Sequence, residues 1–151
     1  MRVEQPGVAV TTIDFYTHVA DPLAVAARLV AKAYATHGSV RVLTPDAATT
    51  EALDRMLWLS PPTGFLPHCR PDSPVAADTP VWIGHALEHS GPAAVLVNLH
   101  PSPPPFFSRF ERLAEIVGTD PEAAAAGRDR WRFYKERAYE MRAHNLAERV
   151  Q

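Results

Sequence analysis

The first sixty residues switch repeatedly between two hydrophobic periods, and few architectures accept that pattern. Residues 8 to 17, Val-Ala-Val-Thr-Thr-Ile-Asp-Phe-Tyr-Thr, are rich in β-branched and aromatic types and read as a strand. Asp21-Pro22 then supplies an N-cap and a proline at the first helical position, where its missing N–H is not needed. Leu23, Ala26, Ala27, Val30 and Tyr34 follow at helical spacing, and Gly38 offers the left-handed residue on which helices commonly end. Val40 to Thr44 is a second strand. Asp46 can cap a second helix, whose apolar face carries Leu53, Met56 and Leu57, with Trp58 in its last turn. Strand, helix, strand, helix is the order of an α/β sheet with right-handed crossovers, mostly parallel and Rossmann-like.

Proline then interrupts the pattern. Six prolines between Pro61 and Pro80 cannot sustain a helix or a central strand, so a long, functional loop is expected there. Val81 to His85 and Ala93 to Leu99 resume as strands, joined by a link too short for a crossover helix, which leaves their relative direction open. Pro101 to Pro105 is a stiff connector to a short helix around Phe106 to Phe110. Arg112 to Val117 fits either a continuation of that helix or a last strand, and the closeness of Gly118 favours the strand. Asp120-Pro121 repeats the cap-plus-proline signal and opens a long C-terminal helix expected to run to about Asn145. No internal repeat or linker appears, so residues 1 to 151 are expected to form one domain.

Several chemistries are absent. Cys69 is the only cysteine, which excludes an intramolecular disulfide and any Cys-paired zinc motif. With no apolar run near the roughly 20 residues of a membrane span, the chain is expected to be soluble and cytoplasmic. Neither Gly-x-Gly-x-x-Gly nor Gly-x-x-x-x-Gly-Lys-Ser/Thr occurs, so the first strand-to-helix turn, His18-Val19-Ala20-Asp21, has no glycine cradle for phosphate. No nucleophile elbow is present. His85 and His89 straddle a strand end and a loop rather than one helix face, and Cys69 beside His68 reads as a small loop residue. No catalytic residue, cofactor or metal is expected.

Charge is unevenly placed. Before Gly127 there are eight Lys/Arg against thirteen Asp/Glu, and from there to the end seven against four. The acidic body opposes a protein whose whole surface grips nucleic acid, so DNA is expected to be contacted only indirectly. At 100° per residue, Arg128, Arg132, Lys135, Tyr139 and Arg142 would form one narrow stripe on the last helix, with Trp131, Tyr134, Ala138 and Met141 in the next sector facing the sheet. A cationic stripe edged by Trp131 suits a short peptide carrying carboxylates and a terminal apolar side chain.

Three further stretches stand out: Asp14-Phe15-Tyr16 on the first strand, Leu53-Asp54-Arg55-Met56-Leu57-Trp58 ending the second helix, and Phe65-Leu66-Pro67-His68 in the proline-rich loop. With Arg128, Arg130 and Trp131 in the tail, the combination resembles the chi subunit of bacterial DNA polymerase III over nearly the whole chain. The resemblance implies a three-layer α/β/α fold and a non-catalytic accessory subunit of the clamp-loader complex. It would bridge that complex, through a small psi-like partner, to the acidic C-terminal tail of the single-stranded-DNA-binding protein. Arg128, Trp131, Arg132 and Lys135 would take the tail, while Trp58, Phe65, Pro67 and His68 would dock the psi-like subunit or an accessory helicase. Relatives can carry a lysine where this chain has Ala124, so the stripe is weaker at that end unless Arg137 supplements it. The competing function is a small α/β enzyme or nucleotide-binding domain acting on a phosphorylated metabolite; a third is direct single-strand DNA binding by the basic helix.

Overall fold

The computed structural model describes residues 10–59, 66–86 and 93–148. Among these residues seven strands form one sheet in which every pairing is parallel: β1 (Thr12–Val19), β2 (Val40–Leu43), β3 (His68–Cys69), β4 (Val81–Gly84), β5 (Val95–Asn98), β6 (Arg112–Gly118) and β7 (Glu140–Asn145). Their order across the sheet is β3-β4-β2-β5-β6-β1-β7. Helices α1 (Pro22–His37) and α2 (Ala47–Leu59) pack on one face, and α3 (Pro121–Glu136) packs on the other.

Both expected caps on the first two helices form. Asp21 accepts from the Ala24 N–H at 3.2 Å, and Asp46 accepts from the Thr49 N–H at 2.8 Å. Gly38 takes the left-handed conformation at φ 85° and closes α1 by donating to the Tyr34 carbonyl. Because α1 returns the chain from β1 to β2, three places along the sheet, it lies over β2, β5 and β6. Its core contains Val25, Ala26 and Val30 against Val40, Val42, Val95, Val97 and Ile116. The opposite core joins Ile13, Phe15, Leu113 and Val117 to Tyr134 of α3 and to Phe106, Phe107 and Phe110, where the expected short helix is one 3-10 turn, Phe107–Arg109.

The open question about β4 and β5 is resolved by β2, which lies between them and parallel to both. Within the proline-rich stretch, His68–Cys69 forms a two-residue strand at the sheet edge, the one place where proline-flanked backbone can pair. Arg112 to Gly118 is a strand, as expected, but not the last one.

The C-terminal helix is shorter than the sequence reading expects. It ends at Glu136, not near Asn145, and the chain reverses through Ala138 at φ 63° into β7. The physical reason is the edge of β1: residues 12 to 17 gain a parallel partner from residues 140 to 145, which a longer helix would leave unpaired. Tyr139 and Arg142 therefore do not belong to the helical stripe, and Ala138 and Met141 do not belong to its buried sector.

Candidate peptide-binding pocket and a second exposed patch

Gly127 determines how closely α3 approaches the sheet. A Cβ there would lie 2.6 Å from one Val117 methyl and 2.9 Å from the other, so only glycine permits this contact. Three residues on, Arg130 is buried and its Nε donates to Glu115 Oε1 at 2.8 Å. Asn98 donates to the same oxygen at 2.9 Å and the Tyr134 hydroxyl to Oε2 at 2.6 Å, so every neighbour of this carboxylate is a donor. Burial pushes the Glu115 carboxyl up from its ordinary range, against the pull of the Arg130 guanidinium and these hydrogen bonds. Arg130 also reaches the Pro101 carbonyl at 2.9 Å, tying α3 to the proline connector. The sequence reading grouped Arg130 with the tail motif; it is a buried strut of the fold.

Beside this contact lies a cavity of about 540 Å³ between α3 and the ends of β1, β6 and β7. Phe15, Val117, Ala124, Gly127 and Trp131 give it apolar walls, and Arg128 stands at its rim. Trp131 is half-buried and meets Phe15 edge to face, with ring centroids 5.1 Å apart. His18, at φ 57°, sits at the mouth where the β1–β6 register slips between Tyr16 and Val19. Such a bulge re-aims side chains at a strand end. An apolar cavity with a guanidinium at its edge can take an aromatic or aliphatic side chain and a carboxylate together.

Of the four residues assigned to the tail site, Arg128 and Trp131 line this cavity. Arg132 and Lys135 lie farther along the exposed surface of α3, and Arg132 is paired with Asp129 at 3.3 Å. Arg137 does not extend the site: it donates to the Phe133 carbonyl at 2.9 Å and lies over the Phe133 ring, at the helix C-terminus. Sequence reasoning missed the contributions of Thr17, His18, Val117 and Gly127. Only a glycine inside an otherwise helical run hinted at the close approach.

The second group gathers at the end of α2. Trp58 is 53% exposed and Leu59 is 73% exposed, so this tryptophan does not plug the core. Beneath it, His68 is buried with its ring centroid 4.8 Å from that of Trp58. Its Nδ1 bonds the Leu66 carbonyl at 2.7 Å, and its Nε2 lies 3.3 Å from Asp54 Oδ1. Thus His68 supports Trp58 from below rather than presenting itself to a partner, and Pro67 is half-buried beside it. Phe65, Pro61 and Pro62 fall outside the described residues, as does His89. Among the described residues no group of three His, Cys, Asp or Glu side chains is placed to hold a metal, and no helix is long and apolar enough to cross a membrane.

Fold and site together define a parallel α/β protein with an apolar, cation-rimmed pocket at a helix–sheet seam. Comparison with known proteins makes this specific. The family described as DNA polymerase III chi subunit, HolC, matches residues 10–142. The DNA polymerase III subunit chi of Pseudomonas aeruginosa PAO1 is 35% identical over 140 residues, covering 90% of this chain and 97% of that protein. The probable DNA polymerase III subunit chi of Rickettsia prowazekii Madrid E is 32% identical over 75 residues, covering 50% of this chain and 46% of that protein. The chain belongs to the DNA polymerase III chi subunit family, and its process is DNA replication.

Proposed function

We propose that this chi-family protein is a non-catalytic bridge within the replication machinery, holding the acidic C-terminal tail of single-stranded-DNA-binding protein on α3 and a clamp-loader partner on the end of α2. The observation that carries the reading is the cavity beside α3, where Phe15, Val117 and Trp131 supply apolar contact and Arg128 supplies charge at one rim. A peptide ending in an apolar residue behind carboxylates satisfies both at once, its side chain in the cavity and its acids on Arg128. Arg132 and Lys135 extend the attraction along the helix, with Arg132 shared with Asp129. The exposed Trp58 and Leu59, backed by His68 with Pro67 beside it, form the docking patch for a psi-like subunit or an accessory helicase, and Phe65 is assigned to the same partner from the sequence motif alone. DNA is reached indirectly, through the tail's owner.

Isothermal titration with a short acidic peptide ending in Pro-Phe tests the tail assignment. Exposed charge pairs contribute roughly 0.2 to 1 kcal/mol each, and reversing a charge adds repulsion. Arg128→Glu with Arg132→Glu should therefore weaken the peptide about tenfold or more, with affinity falling as salt rises. Unchanged affinity in the double variant removes the assignment.

A further inference from the structure

A second groove lies on the other face of the sheet. Since α1 covers β2, β5 and β6, the neighbouring β1–β7 ribbon is left beside the helix, and there the outward residues turn polar. Register places Asp14 beside Arg142 and Tyr16 beside His144. Two arginines converge on the Asp14 carboxylate: Arg142 Nε at 3.0 Å from Oδ1 and Nη2 at 3.2 Å from Oδ2, and Arg112 Nη1 at 3.5 Å from Oδ2. His144 Nε2 lies 2.9 Å from Oδ1. One carboxylate holds both guanidinia in place but cannot saturate them. Arg142 Nη1 and the Nε and Nη2 of Arg112 make no other hydrogen bond among the described residues. Their side chains are 48% and 42% exposed.

Lys32 approaches from α1 across a cavity of about 370 Å³ whose floor includes Val97 and Ala114. Two arginines held by Asp14 and the exposed Lys32, against that one aspartate, make this groove positive in a chain of net charge -2. Guanidinium forks converging from two strands match the several oxygens of a phosphate better than a single carboxylate. The volume suits a small molecule. His144 is stacked on Tyr16 with ring centroids 4.7 Å apart and planes 16° from parallel, a platform that a planar base can extend.

We propose that this groove binds a nucleoside monophosphate, its phosphate held by Arg112, Arg142 and Lys32 and its base laid against the His144–Tyr16 ring pair. The site needs no glycine-rich loop, because side chains supply the donors, and it lies on the opposite face of the sheet from the α3 cavity. It therefore stands independently of the tail reading.

Titration of the full chain with dCMP, deoxycytidine and inorganic phosphate tests it, alongside an oligonucleotide with and without a 5′-phosphate. The expected result is that dCMP binds, that deoxycytidine and inorganic phosphate each bind at least about tenfold more weakly, and that a 5′-phosphate strengthens the oligonucleotide. Lys32→Glu, on the exposed side of α1 with little fold to disturb, should weaken dCMP about tenfold at unchanged melting temperature. Arg112→Gln, which removes the charge without setting a second carboxylate against Asp14, should weaken dCMP likewise and melt somewhat lower for want of the Asp14 pair. No dCMP binding overturns the proposal, as does binding that both variants leave intact. Equal affinity for inorganic phosphate removes the base platform and overturns the monophosphate, as does an oligonucleotide that displaces dCMP equally well with and without its 5′-phosphate, which points to strand backbone instead.

Discussion

Replacing Gly127 by alanine sets two effects of opposite sign against each other. Inside a helix the exchange is favourable by about 1 kcal/mol. At this position the new methyl would meet both Val117 methyls at 2.6 and 2.9 Å and the Val117 Cβ at 3.3 Å, where unstrained carbons rest about 3.5–4.0 Å apart. Val117 cannot step aside, being β-branched and buried on the strand it belongs to. The helix must lift instead. Overpacking costs about 1–3 kcal/mol, and a rigid neighbour places the cost near the top of that range. The net loss is then about 1–2 kcal/mol, a fall in melting temperature of roughly 2–8 °C for a chain of this size. The same methyl projects at the wall of the α3 cavity, so acidic-peptide affinity should fall by about tenfold or more as well. Thermal melting and titration calorimetry read the two effects. Val117→Ala provides the cross-check: it removes the obstructing methyls, so in that background Gly127→Ala should become stabilising by up to about 1 kcal/mol. A single variant that melts higher than the parent, or one that costs as much in the Val117→Ala background, would refute the steric argument.

Ala138 holds a left-handed backbone at φ 63° without being glycine; Ala138→Gly should relieve that strain and stabilise by about 0.5–1 kcal/mol in chemical denaturation, whereas destabilisation would mean the turn is not strained. The Asp46 carboxyl is held below its ordinary range, chiefly by the Thr49 side-chain hydrogen bond and then by the Thr49 backbone N–H. A depressed carboxylate contributes stability above its ordinary pKa and loses it as pH falls through the folded value. Asp46→Asn, which keeps a capping oxygen but not the charge, should therefore lower the neutral plateau of the melting-temperature profile slightly and flatten its acid limb, so that the two proteins converge at low pH; a difference that stays constant across the pH range contradicts the linkage. Trp58→Ala, at a half-exposed ring, should cost under about 1 kcal/mol of stability while weakening capture of clamp-loader or helicase partners by on the order of 2 kcal/mol. A large fall in melting temperature would make Trp58 a core residue instead.

Local signals carried much of this structure. Asp21-Pro22, Asp46 and Gly38 each encode a boundary in their own chemistry, and each forms where the spacing predicts. The resemblance of the tail singled out Arg128 and Trp131, and both line one cavity beside α3. What failed was long-range. Residues 139 to 145 contain good helix formers, yet Tyr139 and Met141 alternate with Glu140, Arg142 and His144, and that period of two is the one β1 selects by offering an unpaired edge. Arg130 could not be distinguished from Arg128 in a basic run, because only Glu115, fifteen residues earlier, makes it a buried partner. The groove around Asp14 was equally hidden: its cations come from α1, β6 and β7, and none is near another in sequence.

The chain's three tryptophans allow the central claim, that an acidic tail binds beside α3, to be tested in one titration. Trp131 lines the α3 cavity, Trp58 marks the α2 patch, and Trp82 lies under the Arg41 guanidinium, with its indole N–H donated to the Ala76 and Thr79 carbonyls. Indole N–H resonances of the labelled full chain should be followed as an acidic peptide ending in Pro-Phe is added. The Trp131 signal should move in a saturable, salt-sensitive manner and stop moving in Arg128→Glu, while the Trp58 and Trp82 signals stay in place. A shift confined to Trp58, or a Trp131 shift that Arg128→Glu leaves intact, would contradict the assignment of the tail to α3.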